Sequence, residues 1–290
     1  MNNQMAYLIG MILGNGEIQR NQLDTTITIE IPHKNLRDDE GLEVSIYVKS
    51  SLSDIRNVIE PLIGHSISMT QTKKSTKLSF TKPNEDYTMR EILRFIGNGV
   101  HHSNMTMNDE LLNITTDEKK ELLRGVADVT GYIRRSNMAY GKEGQHRVYI
   151  EIPGNWQFVI DIANMLKTLD IPIQTIDFGH PNFRDSNLKK YNEGKPNYWK
   201  KEHQVKIWAN EFLPIGFNIV HKQRALEKYA NELLDYLDEN KTHKFYWEKP
   251  VRIRKKLKHP MENDESLPIK IRGKHYDSWT ELAGDLGYGK

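Results

Sequence analysis

Apolar and polar positions alternate along this chain in two series that repeat in the same order. Residues 6–18 and 122–133 are each a nearly continuous apolar stretch at helical spacing, with a small residue at Gly10 or Gly125, turning at Gly16 or Gly131 into an extended segment. Period-two alternation follows at 26–31 and 148–152 and predicts strands, each closing on the same tetrapeptide, Ile29-Glu30-Ile31-Pro32 and Ile150-Glu151-Ile152-Pro153. Helical spacing returns at Leu52, Ile55, Val58, Ile59 and Leu62, and again at Phe158, Ile162, Met165, Leu166 and Leu169. Strands are predicted next at 67–70 and 77–80, matched by 173–178 and 204–208. Ile96-Gly97 and Val100-His101-His102 are then answered by Ile215-Gly216 and Val220-His221-Lys222, with one residue inserted.

Matched features in one order define a duplicated unit. They predict an α+β fold of two αββαββα repeats related by a pseudo-twofold axis, at 1–115 and 116–240, with a small extension at 241–290. Equivalent glycines at 16 and 131 lie 115 positions apart. An isolated glycine costs a helix about 1 kcal/mol. A pair at equivalent places, Gly10 and Gly125, has a reason: without Cβ atoms, two helix backbones pack closely across the axis. Whatever precedes Gly16 and Gly131 is thereby carried to the centre of the molecule.

Composition adds limits. The chain has 290 residues, 41 Lys+Arg against 39 Asp+Glu for a net charge of +2, and no cysteine, which excludes disulfides and thiolate metal sites. The sequence has no apolar run of the ~18 residues a membrane helix needs, and residues 1–6 lack the basic start of a secretory signal. A monomer without membrane contact is expected, in the cytoplasm with the nucleoid or in another reducing compartment. No phosphate-binding glycine loop, histidine metal spacing or Ser-His-Asp set stands out.

The small net charge hides its distribution. Lys189, Lys190, Lys195, Lys200 and Lys201 are interleaved with Phe183, Tyr191, Tyr198 and Trp199 in a loop-like stretch, which suits phosphates and sugars. Lys244, Lys249, Arg252, Arg254, Lys255, Lys256 and Lys258 face the single acid Glu248 in 241–258, either as a solvated linker or as an arm on a duplex backbone. In the predicted strands Thr26, Thr28 and Glu30 share one face, as do Arg147 and Tyr149 in the second repeat. A sheet with one apolar and one polar face fits the major groove of double-stranded DNA, or is simply solvated on one side.

The motif pair, Leu8-Ile9-Gly10-Met11-Ile12-Leu13-Gly14-Asn15-Gly16 and Leu123-Arg124-Gly125-Val126-Ala127-Asp128-Val129-Thr130-Gly131, resembles the LAGLIDADG homing endonucleases in their single-chain, two-repeat form. The resemblance spans residues 5–237 and includes Gly216-Phe217, His221-Lys222-Gln223 and the helix predicted at 225–237. It implies two antiparallel sheets forming a β-saddle on DNA, with the last acid of each motif helix holding Mg²⁺ at the scissile phosphates. Those positions fall on Asn15 and Thr130, which bring no negative charge. Glu17 and Asp128 are the candidate substitutes; otherwise Glu17 is a solvated strand-start residue and Asp128 a structural hydrogen-bond acceptor between the motif helices. The family's basic residue near the site matches Lys222, with His102 in the first half; Lys222 would stabilise a phosphate, clamp one, or serve a helix start. Four readings follow: a DNA-binding protein with cleavage lost or reduced, a working Mg²⁺-dependent endonuclease, an RNA-splicing maturase that binds intron RNA, or a protein with a structural role alone. In the tail, a hairpin at 269–276 and a helix at 279–286, capped by Asp277 or Ser278, resemble the accessory DNA-binding modules of such enzymes, or form a frayed terminus.

Overall fold

The computed structural model describes residues 1–36, 44–134, 146–180 and 202–240, with the short strands at 270–271 and 274–275. Candidate contacts Lys189, Lys190, Lys195, Lys200, Lys201, Arg252, Arg254, Lys255 and Lys256, and the helix expected at 279–286, lie outside the described residues.

The first half runs α1 (Asn3–Asn15), β1 (Gly16–Arg20), β2 (Asp24–Pro32), α2 (Val44–Ile63), β3 (Ser68–Gln71), β4 (Ser75–Pro83) and α3 (Tyr87–Ile96). A short α4 (Asp109–Leu112) leads to the second half: α5 (Thr116–Thr130), β5 (Gly131–Arg134), β6 (Arg147–Pro153), α6 (Trp156–Thr168), β7 (Thr175–His180), β8 (Glu202–Trp208), α7 (Ala209–Phe212) and α8 (Val220–Asn240). β9 (Lys270–Ile271) and β10 (Lys274–His275) pair antiparallel within the hairpin expected at 269–276.

The fold is α+β, with two four-stranded antiparallel sheets in equivalent orders, β1-β2-β4-β3 and β5-β6-β8-β7. Register repeats as well, since Gly16 sits opposite Ile29 and Gly131 opposite Ile150. The alternation reads out as expected in β2, where Thr25, Ile27, Ile29 and Ile31 are buried and Thr26, Thr28 and Glu30 are half-exposed. Val148, Ile150 and Ile152 of β6 are buried likewise, and one apolar cluster runs through both halves. Among the described residues no helix is long and apolar enough to cross a membrane.

α1 and α5 form the spine. Asn2 caps α1 by accepting from the Met5 amide, and Thr115 and Glu118 cap α5 reciprocally. α1 is apolar nearly all round, as befits a helix buried on every side. A Cβ on Gly10 would collide with the Leu122 carbonyl oxygen, and one on Gly125 with the Tyr7 carbonyl oxygen. The two glycines make the same close approach from opposite sides. α8 then ties the halves together from outside: the Val220 amide donates to Asp54 Oδ2 of α2 at 3.0 Å, and the His221 ring contacts Tyr47.

Candidate nucleic-acid interface and central site

Both spine helices end at a glycine in extended conformation, so the chain leaves each helix directly into the first strand of its sheet, β1 or β5, at one end of the strand order. Asn15 is the last residue of α1 and is half-buried; its Nδ2 donates to the Glu30 carbonyl oxygen at 2.6 Å. Thr130 ends α5 and is buried, with its hydroxyl donating to the Val126 carbonyl at 2.8 Å. The paired helix ends therefore present an amide engaged with a strand and a hydroxyl turned back on its own helix.

Asp128 is wholly buried. Its Oδ2 accepts from the Tyr7 hydroxyl at 2.7 Å and from the Asn218 amide at 3.0 Å, and Oδ1 faces the Ile219 amide at 3.4 Å. One carboxylate thus joins α5 to α1 and to the segment entering α8. Burial raises its pKa, against the pull of Lys222 and of these hydrogen bonds. Burial, then the charge of Asp128, pushes Tyr7 well above the usual phenol value.

Lys222 is 2% exposed, and its Nζ reaches the Gly131 carbonyl at 2.7 Å, that of Asp128 at 2.9 Å and that of Ala127 at 3.4 Å. The ammonium gathers main-chain carbonyls at the C-terminus of α5, where a cation is favoured. Burial lowers its pKa to about 8, opposed by Asp128. His102, its counterpart in the first half, is half-buried with its ring hydrogen-bonded to the Gly16 backbone; burial, then His101, lowers its pKa to about 4, so it is neutral at physiological pH. Glu17 is half-buried, accepts from Gln19 Nε2 at 3.1 Å, and bridges to His101 through the backbone.

These residues do not fit a divalent metal. Asn15 and Thr130 offer only neutral oxygens, the Thr130 hydroxyl is buried and turned back on Val126, and Asp128 is sealed among its donors. Among the described residues no group of three His, Asp or Glu side chains could hold an ion.

The outward faces of the two sheets differ. Thr26 pairs with Thr81 at 2.8 Å and Thr28 with Ser79 at 3.0 Å, hydroxyl to hydroxyl, while Glu30 faces Lys77 at 3.8 Å. On the second face the expectation of a polar surface open to water meets a different arrangement. Arg147 is buried with its guanidinium 4.6 Å from the Trp208 ring centre, and Tyr149 stacks on Tyr132 at 5.1 Å. Lys206 Nζ pairs with Asp177 at 2.7 Å, and Gln204 Nε2 donates to the Tyr132 hydroxyl and to Glu151 at 3.0 and 3.2 Å.

Lys34 of the first half crosses to the second, 2.6 Å from Glu151 Oε2 and 2.7 Å from Glu202 Oε1. Burial works to raise Glu151, but the Lys34 ammonium prevails and holds it below the usual range; burial and the neighbouring Glu151 raise Glu202. Sequence reading missed Lys34, because nothing in local spacing marks a lysine that bridges 117 positions, from 34 to 151.

No protein-family model matches this chain, and no curated protein matches it in sequence. Solved structures that it resembles include the homing endonuclease I-DmoI in complex with DNA and Mn, 13% identical, covering 76% of this chain and 96% of that one at a TM-score of 0.38. A variant of I-SmaMI is 9% identical over 84% of this chain and 92% of that one, at 0.38. Full-length DUF199/WhiA from Thermatoga maritima is 12% identical over 81% of this chain and 60% of that one, at 0.40.

Proposed function

We infer that this protein is a homing-endonuclease-like binder of double-stranded DNA that recognises a long site through its two sheets and no longer cleaves it. The observation that carries this reading is the combination of two register-matched antiparallel sheets on a glycine-packed helix pair with helix ends that bear Asn15 and Thr130 in place of carboxylates. A sheet of this kind suits the major groove, which admits a two-stranded ribbon, and the basic stretches at 189–201 and 241–258 would neutralise phosphates. Without a carboxylate at either helix end, Mg²⁺ lacks the paired anionic ligands that would hold it beside the phosphate and activate a nucleophile there.

Titration of a 40-base-pair duplex at 50 and 200 mM salt tests binding. An affinity falling by about 10³-fold, the signature of ~6 released counterions, supports it, and a salt-independent affinity overturns it. Supercoiled plasmid carrying the flanking sequence of the gene, incubated with Mg²⁺ or Mn²⁺, tests cleavage. Intact plasmid is expected. Double-strand cuts abolished by Glu17→Gln would establish the nuclease instead, since Glu17 is the half-exposed carboxylate beside Asn15. Tighter binding to a structured intron RNA than to duplex DNA would favour the maturase.

A further inference from the structure

The polar faces of the two sheets are built from different chemistry. On the first, Gln19, Thr26, Thr28, Lys77, Ser79 and Thr81 are all exposed or half-exposed. Their internal bonds are of the kind that exchanges readily with a ligand. A hydroxyl has one donor and two acceptor positions, so Thr26 and Thr81, or Thr28 and Ser79, keep spare capacity after pairing with each other. The Lys77 to Glu30 contact is long and exposed on both sides, and such pairs contribute little.

On the second face Tyr132, Arg147, Glu151, Asp177, Gln204 and Lys206 are all buried. Short bonds join them, several charge-assisted: Lys206 to Asp177 at 2.7 Å, Lys34 to Glu151 at 2.6 Å, and Gln204 to both Tyr132 and Glu151, while the Arg147 guanidinium lies against the Trp208 ring. Redirecting any of these groups to a base edge would leave its partner charge buried without compensation, which is strongly unfavourable. Equivalent strands have therefore diverged, Glu30 standing opposite the exposed Lys77 where Glu151 stands opposite the buried Gln204.

We propose that the sheets divide the work: base discrimination is concentrated in the half-site lying against the first sheet, and the described part of the second sheet supports the complex without reading bases. This rests on the duplex-binding reading above. Serine and threonine accept from or donate to several base edges, and Gln19 offers the amide geometry that pairs with adenine. Specificity on the first face thus comes from Gln19, Thr26, Thr28, Ser79 and Thr81 acting as one donor and acceptor array.

The test is selection by the full chain from a library of duplexes randomised over 30 base pairs, followed by single base changes in the enriched sequence. One half-site is expected to lose about tenfold or more in affinity per change and the other less than about threefold. The variant Thr28→Val with Ser79→Ala should flatten the preference at positions in the sensitive half, and Thr28→Val alone, which is isosteric, should do so in part with the melting temperature retained. Tyr149→Phe, on the second sheet, should leave the selected sequence unchanged. Equal sensitivity in both halves overturns the proposal, as does a selected sequence that the first-sheet variants do not alter. Failure of the folded protein to enrich any duplex would instead overturn the duplex-binding reading, and this proposal with it.

Discussion

Asn15 donates its side-chain amide to the main-chain carbonyl of Glu30 at 2.6 Å, so the residue at the end of the first spine helix is bonded as a donor, a role a carboxylate cannot fill. Asn15→Asp would set a negative oxygen against that carbonyl. Loss of this partly buried bond costs about 1 kcal/mol, so the variant should unfold at lower temperature. If this position still lies where a metal would be useful, millimolar Mg²⁺ or Mn²⁺ should return part of that loss in Asn15→Asp and none of it in Asn15→Ala. Melting curves with and without the ions decide it, and an Asp variant as stable as the parent in chelator would contradict the donor role.

The spine predicts a graded glycine series. Gly10→Ala and Gly125→Ala push a methyl into a backbone carbonyl of the facing helix, which can yield only if the helices separate. Overpacking of this kind costs about 3 kcal/mol. A methyl at Gly14 is tight only against the Thr130 Cγ2 at 3.2 Å, a side-chain atom, and meets the Val126 backbone at ordinary contact distances of 3.6 and 3.7 Å. Urea midpoints should place Gly14→Ala much nearer the parent than either of the other two. Equal losses across the three would mean that the close approach is not what holds the halves together.

Lys34 is the charge that the second sheet borrows from the first half. In Lys34→Met, Glu151 and Glu202 keep their burial and their mutual repulsion but lose the ammonium between them. In the parent the lowered pKa of Glu151 contributes stability that is present above the usual 4.5 and lost as pH falls. In the variant both carboxyls titrate upward, so stability falls as pH rises through them. The gap between parent and variant should therefore be small near about pH 4 and wider at about pH 7, read from denaturant unfolding at each pH. A constant gap would assign Lys34 a packing role only.

Local pattern explains why so much of the fold was legible. Thr26, Thr28 and Glu30 alternate with Ile27, Ile29 and Ile31, and the duplicate tetrapeptide at Ile150 to Pro153 marks the same strand again, because side-chain direction in a strand follows from position alone. Gly10 and Gly125 are legible for a related reason: the repeat itself aligns them. The partners of the central residues were not readable in this way. Asp128 meets Tyr7 across 121 positions and Lys222 meets the Gly131 carbonyl across 91, and carbonyls carry no sequence signature. The closed second face was equally hidden, since Arg147 and Tyr149 satisfy the same alternation whether water or Trp208 and Tyr132 lie above them.

Lys222 offers the sharpest pH test. Its ammonium is enclosed by three carbonyls at the end of α5 and lies near the buried Asp128. Burial lowers its pKa from 10.5 to about 8, so between these values the unfolded chain holds a proton that the folded one releases. Stability contributed by a group lowered on folding rises with pH across that window and is lost as pH falls through the folded value. Lys222→Met removes the titration together with the carbonyl contacts and leaves Asp128 without its nearest positive charge, so the variant should be less stable than the parent at neutral pH, by about 3 kcal/mol. The parent's advantage should then grow from about pH 8 to about pH 10, because only the parent gains from the release. Comparing the two proteins at each pH cancels the other titrating groups, Tyr7 among them. An advantage that is flat or shrinks over this interval would mean that the ammonium keeps its proton in the folded state.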